Sequence, residues 1–289
     1  MLSVIITSYR SRQILDACLA SLSAQPDAAE IVVADCSPDD PSDTLRARFP
    51  RVRVIHSPRI MTVPALRWSA LPFTSGEIVA AVEGRSVPAS DWCAELLRTH
   101  ALHPDAPAVG GPVVLKPGAS RFDWGLYFCE FAPFAPSIAA LALPQLSGAN
   151  LSYKRAALVA ARDLLDEGQW ETALHDRWHR QDRAVAMSSG AVEFRNGMSV
   201  GDAFRMRLHY GRSYAANRFD GSPLRWLYAA GASLLPLVLT WRAGRAARRA
   251  GLMGRFVAAL PWVAAFNAAW AAGEMAGYLF GRSTRPHIY

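Results

Sequence analysis

The stretch that decides the fold runs from Gly76 to Trp92, GEIVAAVEGRSVPASDW. Ile78 to Val82 is an unbroken apolar run of strand length that stops at Glu83-Gly84-Arg85. Such a run predicts a strand buried on both faces. Pro88 and Ser90 then open a helix with apolar positions at Trp92, Cys93, Leu96 and Leu97. Open α/β sheets bind ligands beyond the carboxyl ends of their strands. Glu83 and Arg85 are therefore candidates for a ligand site, with a solvated turn after a core strand as the plain alternative.

Towards the N-terminus the same grammar repeats. Leu2 to Tyr9 is an apolar strand ending in Thr7-Ser8-Tyr9-Arg10, and Ile14, Leu15, Cys18, Leu19 and Leu22 recur at helical spacing. Glu30 to Ala34 is a second strand, closed by Asp35-Cys36-Ser37-Pro38-Asp39-Asp40. A short helix from Asp43 to Phe49, a strand from Val52 to His56 and a helix from Val63 to Leu71 lead back to Glu77–Val82. The alternation implies a mostly parallel sheet with helices on both faces. Val109 to Leu115 adds one more strand. Phe122 to Pro144, rich in Phe, Pro and Ala without clean periodicity, reads as an irregular loop over a site. Ser147 to Tyr153 reads as a turn and short strand. Helices follow at Arg155–Leu165 and Trp170–Gln181, then a last strand at Val185–Phe194.

Hydrophobic residues make up 51% of the 289 and charged residues 19%, which excludes a disordered chain. Cys18, Cys36, Cys93 and Cys129 have no metal-ligand spacing and read as reduced thiols in a cytosolic setting. A strand starting almost at Met1 leaves no room for a secretory signal. The net charge of +7 is carried by Arg, since Lys116 and Lys154 are the only lysines. No stripe of Arg among aromatics runs through the first 200 residues, so nucleic acid is not expected as a partner.

The basic excess lies in residues 200–289, which separate in character from residues 1–199. Met198 to Arg218 reads as a helix bearing Arg205, Arg207, Arg212 and Arg218, either interfacial or packed on the sheet with a solvated basic face. Trp226 to Trp241 has no charge, yet its 16 residues span only about 24 Å as a helix, short for a bilayer core of roughly 30 Å. Phe256 to Gly273 is a second uncharged run. Between them lie Arg242, Arg245, Arg248, Arg249 and Arg255. Five arginines carried to the outer face would oppose the positive-inside tendency. A hydrophobic hairpin seated in the cytoplasmic leaflet avoids that conflict; two spans and a soluble helical pair are the alternatives.

Three further sets of residues carry candidate chemistry. Asp35 ends a strand where a carboxylate can accept from a base or ribose, or else simply form a turn. Glu83 can hold a divalent ion through oxygen, and Arg85 can clamp a phosphate with its fork of donors; a surface ion pair is the alternative. Glu171 and His175 share a helix face, with Asp176 beside them, and a carboxylate there can act as a general base.

VIITSYR, ADCSPDD, VPALRWSALPFTSGEIVAAVEGRSVPASDW and LSGANLSYKRAAL occur in the order seen in family-2 glycosyltransferases of the GT-A fold, and the chain resembles that family over about residues 2 to 218. The resemblance implies a Rossmann-like α/β domain with a C-terminal hydrophobic helical tail. It implies donor-binding roles for Thr7, Ser8, Tyr9, Asp35, Arg67, Glu83 and Arg85. It places Gly148 and Asn150 in a loop near donor sugar and acceptor. Aligning Leu174 and Arg177 with the family's fixed positions puts Glu171 on the catalytic carboxylate. The family's DxD element falls on Glu83-Gly84-Arg85, with Glu83 as the one acidic ligand for Mg or Mn, and its ED pair on Trp170-Glu171.

The expected activity is inverting transfer of a sugar from a nucleoside diphosphate sugar to a lipid-linked or polysaccharide acceptor at the cytoplasmic face of the inner membrane. Two alternatives are a catalytically inactive scaffold for glycan assembly, suggested by the degenerate DxD, and a nucleotidyltransferase, which would want a Gly-rich basic loop after the first strand.

Overall fold

The computed structural model describes residues 1–136, 145–218 and 223–281. The chain divides into two compact units. One comprises residues 1–116 and 134–197, and the other comprises residues 117–133 and those from 198 onward.

The first unit is the α/β one. It begins β1 (Leu2–Ser8), α1 (Arg12–Ser23), β2 (Ala28–Asp35), α2 (Ser42–Arg48), β3 (Val52–His56), α3 (Val63–Ser69) and β4 (Ile78–Glu83). Then come β5 (Ser86–Pro88), α4 (Trp92–Leu102), β6 (Ala108–Gly110) and β7 (Val113–Leu115). After α5 (Arg121–Glu130) of the other unit, the chain returns as β8 (Asn150–Lys154), α6 (Arg155–Val159), α7 (Arg162–Asp166), α8 (Glu171–His179), β9 (Ala186–Met187) and β10 (Val192–Phe194).

The main sheet has the order β3-β2-β1-β4-β8-β6-β9. β1 to β4 are parallel where they pair, and β8 runs antiparallel to both β4 and β6. A smaller sheet has the order β5-β10-β7. The apolar runs explain why the central strands form: every residue of β1 is buried, as are Val79 to Val82 of β4. α1 turns Leu15, Cys18, Leu19 and Leu22 inward, the spacing of one helical face. A second core joins Ile5, Val32 and Val79 to Leu66, Trp68, Leu174 and Trp178.

Three expectations change. Val109–Leu115 is two strands, because Gly111-Pro112 breaks the run: Gly111 donates its N–H to the Asn150 carbonyl, and Pro112 has no N–H to give. The halves go to different sheets. Val185–Phe194 divides in the same way into β9 and β10. Phe122–Pro144 begins as helix rather than loop. Ser120 caps α5, accepting from the Asp123 N–H at 3.2 Å while the Asp123 carboxylate accepts from the Ser120 N–H at 2.9 Å. Residues 137–144 of that stretch lie outside the described residues.

The second unit is helical: α5, α9 (Val200–Arg218), α10 (Arg225–Gly231), α11 (Leu235–Arg249) and α12 (Met253–Phe280). The uncharged run from Trp226 to Trp241 is not one rod, since a 3-10 turn at Ala232–Leu234 separates α10 from α11. α9 lies along α12 at a glycine seam. A Cβ on Gly273 would collide with the Leu208 carbonyl, and one on Gly277 with the Arg212 carbonyl. Gly-xxx-Gly spacing of this kind permits close helix contact of the sort found in membranes. Arg207 of α9 is consequently buried, at 4% exposure, while Arg205 stays exposed. Among the described residues α12 alone is long and apolar enough to cross a bilayer. The residues after Gly281 in the predicted tail lie outside the described set. Cys18, Cys36, Cys93 and Cys129 are free thiols.

Candidate active site

Parallel register sets the first half of the site. Ser8 of β1 stands beside Asp35 of β2, and Thr7 beside Glu83 of β4, so all four reach the carboxyl edge of the sheet together. The Gly84 N–H donates to the Thr7 carbonyl at 2.8 Å, and a Cβ at Gly84 would press on that oxygen at 3.1 Å and on Ser11 Oγ at 3.0 Å. The tight turn is thus written into Gly84.

The acidic and basic groups on this edge are partly committed already. Asp35 is buried; its Oδ1 accepts from the Ser37 N–H at 2.8 Å and lies 3.3 Å from His56 Nδ1, while Oδ2 accepts from Ser37 Oγ at 2.9 Å. Its carboxylate shapes the turn after β2. Tyr9 follows on the rim, with the Arg10 guanidinium 5.4 Å from its ring centre. Arg85 Nη2 lies 3.3 Å from Glu83 Oε2, and the guanidinium is 5.4 Å from the centre of the Phe194 ring. Its Nη1 is buried without a hydrogen-bond partner among the described residues. A guanidinium nitrogen left unpaired beside a strand end is a donor in search of an anionic oxygen.

The antiparallel pairing of β8 with β4 brings the second half to the same edge. Asn150 opens β8 opposite Val82, so the loop at Gly148 sits beside the end of β4. Glu171, the first residue of α8, lies against that loop: a Cβ on Gly148 would collide with its carboxylate. Arg67 of α3 ties the two together, with Nη1 donating to Glu171 Oε2 at 3.3 Å and Nη2 to the Gly148 carbonyl at 3.0 Å. Arg67 is 1% exposed and the Glu171 side chain 12%. The helix N-terminus adds a favourable field for a carboxylate at that position.

Beneath the pair lies an aromatic floor. Tyr153 packs against Trp68 and Trp178 with ring centres 5.7 and 5.8 Å apart, and stacks on His175 at 6.5 Å. Burial above all, and then the charge of Glu171, push the Tyr153 phenol well up. Burial pulls the His175 imidazole down to about 3, helped by the charge of His179. His175 is therefore neutral at physiological pH, and its Nδ1 lies 3.0 Å from Gln145 Oε1.

The sequence candidates thus separate. Thr7, Ser8, Asp35, Glu83 and Arg85 share one edge, and Glu171 and Gly148 join them there through β8. Arg67 is spent on Glu171 and Gly148, a contact spanning 104 positions of chain that spacing alone does not reveal. Asn150 is fully buried and its amide is fully engaged. It accepts from Trp92 Nε1 at 2.8 Å and donates to the Pro112 and Gly190 carbonyls at 2.8 and 2.9 Å. Asp176 accepts from Gln145 Nε2 at 2.7 Å. No group of three or more His, Cys, Asp or Glu able to hold a metal occurs among the described residues. Glu83 offers a single carboxylate that already faces Arg85. This donor set does not fit an ion held by protein side chains.

Residues 3–146 match the family model described as Glycosyl transferase family 2. No protein of curated function matches the sequence. Among solved structures, the chain is similar to the mannosyltransferase PcManGT from Pyrobaculum calidifontis, solved in complex with GDP-Man and Mn2+. The TM-score is 0.59 at 18% identity, covering 94% of this chain and 86% of that one. It is also similar to S. aureus TarS 1-349 in complex with UDP-GlcNAc, with a TM-score of 0.50 at 14% identity over 98% of this chain and 93% of that one. At these identities the likeness establishes the GT-A-like fold.

Proposed function

With residues 3–146 matching its family model, the chain belongs to glycosyltransferase family 2, and on that premise we propose that it transfers a sugar, with inversion, from a nucleoside diphosphate sugar to a membrane-linked or polysaccharide acceptor. The observation that carries this reading is the Arg67–Glu171–Gly148 cluster, set at the same sheet edge as Glu83 and Arg85. Donors of the GDP-Man and UDP-GlcNAc kind, present in the structural neighbours, support the donor class.

In this reading Glu171 accepts the proton of the acceptor hydroxyl. The freed oxygen attacks the anomeric carbon, and the bond to the nucleoside diphosphate breaks as the new bond forms. Arg67 holds the carboxylate in place, so that it is positioned to serve as a base. The leaving diphosphate gathers negative charge, and a preorganised cation stabilises it most where water is excluded. Arg85, with Nη1 unpartnered, supplies that cation. A divalent ion would supply the same neutralisation, but the donor set around Glu83 does not fit one held by protein side chains. Thr7, Ser8 and Tyr9 line the edge where the base and ribose lie.

In this reading the chemistry occurs at the cytoplasmic face of the inner membrane, with the C-terminal unit as its attachment. Its support is α12, which is apolar over a membrane-spanning length, and the arginines from Arg242 to Arg255. Incubating the purified protein with a panel of nucleoside diphosphate sugars tests the reading. One donor should bind and release its nucleoside diphosphate faster than in buffer. A panel in which none binds counts against it.

A further inference from the structure

We propose that the C-terminal helical unit contains a binding pocket for a single lipid, one whose apolar chain ends in an oxygen-bearing head group. The inference rests on the reading of this unit as lipid-facing and is independent of the donor site.

The cavity lies wholly within the helical unit and has a volume of about 590 Å³, inside the roughly 300–1,000 Å³ typical of small-molecule sites. Its walls differ in chemistry. α10 and α11 contribute Leu227, Leu235, Val238 and Leu239. The opposite side, from α5, α9 and α12, contributes Glu130, Arg207, Asn267, Trp270 and Glu274. The outer surface of α10, α11 and the 3-10 turn between them bears Trp226, Leu234, Leu237 and Trp241, each more than half exposed. A cavity whose α10–α11 wall is apolar apart from Arg242, behind helices that expose large apolar side chains, suits a molecule that arrives from a bilayer.

Arg207 sets the head group. It is 4% exposed, and its guanidinium lies 4.5 Å from the centre of the Trp270 ring. Its hold on neighbours is loose: Nη2 to Asn267 Oδ1 at 3.4 Å and Nη1 to Glu130 Oε1 at 3.8 Å. Nε is buried and has no hydrogen-bond partner among the described residues. A buried donor without an acceptor is costly, and a ligand oxygen removes the cost. Glu274 is already engaged, accepting from Trp270 Nε1 at 2.6 Å and from the Tyr278 hydroxyl at 3.0 Å. The lining charges balance, Glu130 and Glu274 against Arg207 and Arg242. Selection therefore rests on an acceptor oxygen rather than on net charge. Phosphate, glycosyl and ester oxygens all meet that need.

Native mass spectrometry of the full-length protein in detergent tests the assignment, with a long-chain polyprenyl phosphate and a neutral glycosyl diglyceride as probes. At least one should be retained. Gly231 lines the cavity and a Cβ there meets nothing within 4 Å, so Gly231→Trp starts a large side chain from open space beside it. Arg207→Gln removes the buried donor. Each should lower retention about tenfold or more, the worth of one large buried group or one charged hydrogen bond. Retention of the phosphate probe alone assigns the head as phosphate, and of the glycoside alone as sugar. No retention of either probe by the unaltered protein, or equal retention by Gly231→Trp, overturns the proposal. Release of nucleoside diphosphate, measured on the same samples, separates such a failure from a failure of the transferase reading.

Discussion

Among the described residues, the α/β unit exposes five large apolar side chains, Met1, Ile60, Phe73, Leu102 and Val159, while the smaller helical unit exposes fifteen, from Val200 to Phe280. The buried polar groups differ as well. In the α/β unit Arg67 is bound to a carboxylate and a carbonyl. In the helical unit Arg207 touches its neighbours at longer range. One unit keeps nearly all its large apolar groups inside, as water-soluble domains do. The other puts much apolar surface outward, beside exposed arginines such as Arg245, Arg248 and Arg249. The proposed function puts chemistry in the first unit and attachment in the second, and each proposal can be broken separately.

The largest expected effect belongs to Glu171. Glu171→Gln keeps the shape and the contact to Arg67 while removing the basic carboxylate. Turnover should fall by about 10²–10⁴-fold, with donor affinity nearly unchanged in a titration. Asp176→Asn removes a carboxylate already engaged by Gln145 and should change little. Ordinary turnover in Glu171→Gln would move the base elsewhere in the fold.

Arg85 comes next. Arg85→Ala should slow nucleoside diphosphate release by about 10²–10³-fold, the scale of one lost charge-stabilising donor. The unaltered enzyme should stay active in chelator. Complete loss of activity on chelation, with Arg85→Ala harmless, would return the role to an ion at Glu83.

Attachment is tested on the outer face of α11. Leu237 is 73% exposed and Trp241 59%. Replacing both with Glu removes apolar contact without opening the fold. Partition onto anionic vesicles should drop about 10–100-fold, while donor hydrolysis in detergent stays constant. Unaltered sedimentation with vesicles would erase the contrast between the units.

The sequence carried unequal information about these two units. β1 to β4 were legible because apolar runs of strand length alternate with helical spacing, while their order β3-β2-β1-β4 came only with the structure. β6 and β7 were not, because Gly111-Pro112 sends two short pieces of one apolar run into separate sheets, a decision made by partners far away in the chain. α5 did have a readable signal in Ser120 and Asp123, a capping box. It was obscured because the helix is apolar on several sides and so lacks a period. For the candidate site, strand ends pointed to Asp35 and Glu83, and the family resemblance to Thr7. The Arg67–Glu171 pair has no local signature, and the aromatic floor of Trp68, Tyr153, His175 and Trp178 becomes visible only when three distant segments meet.

The smallest effect separates the units by acid. His175 and His100 both belong to the α/β unit and both are buried. Burial draws His175 down from 6.5 to about 3, and His100 from 6.5 to about 4, the latter aided by the charge of Lys154. A folded pKa below the unfolded one means that the unfolded chain binds more protons between those values. Stability is then full above pH 6.5 and is lost as pH falls through the window. At pH 5 each histidine should have cost about 2 kcal/mol relative to pH 8, from about 1.4 kcal/mol per unit of displaced titration. The carboxylates act lower: Glu30 is held at about 2, where hydrogen bonds from Ser3 and Ser75 outweigh desolvation, so its contribution fades only below its unfolded value of 4.5. Urea unfolding at pH 8 and pH 5 reads the difference. His100→Gln keeps a group able to bond Ser152, whose Oγ lies 2.9 Å from the imidazole, and it cannot titrate. It should remove about half of the acid loss. A pH dependence identical in His100→Gln and in the unaltered protein would remove His100 from the acid-sensitive groups.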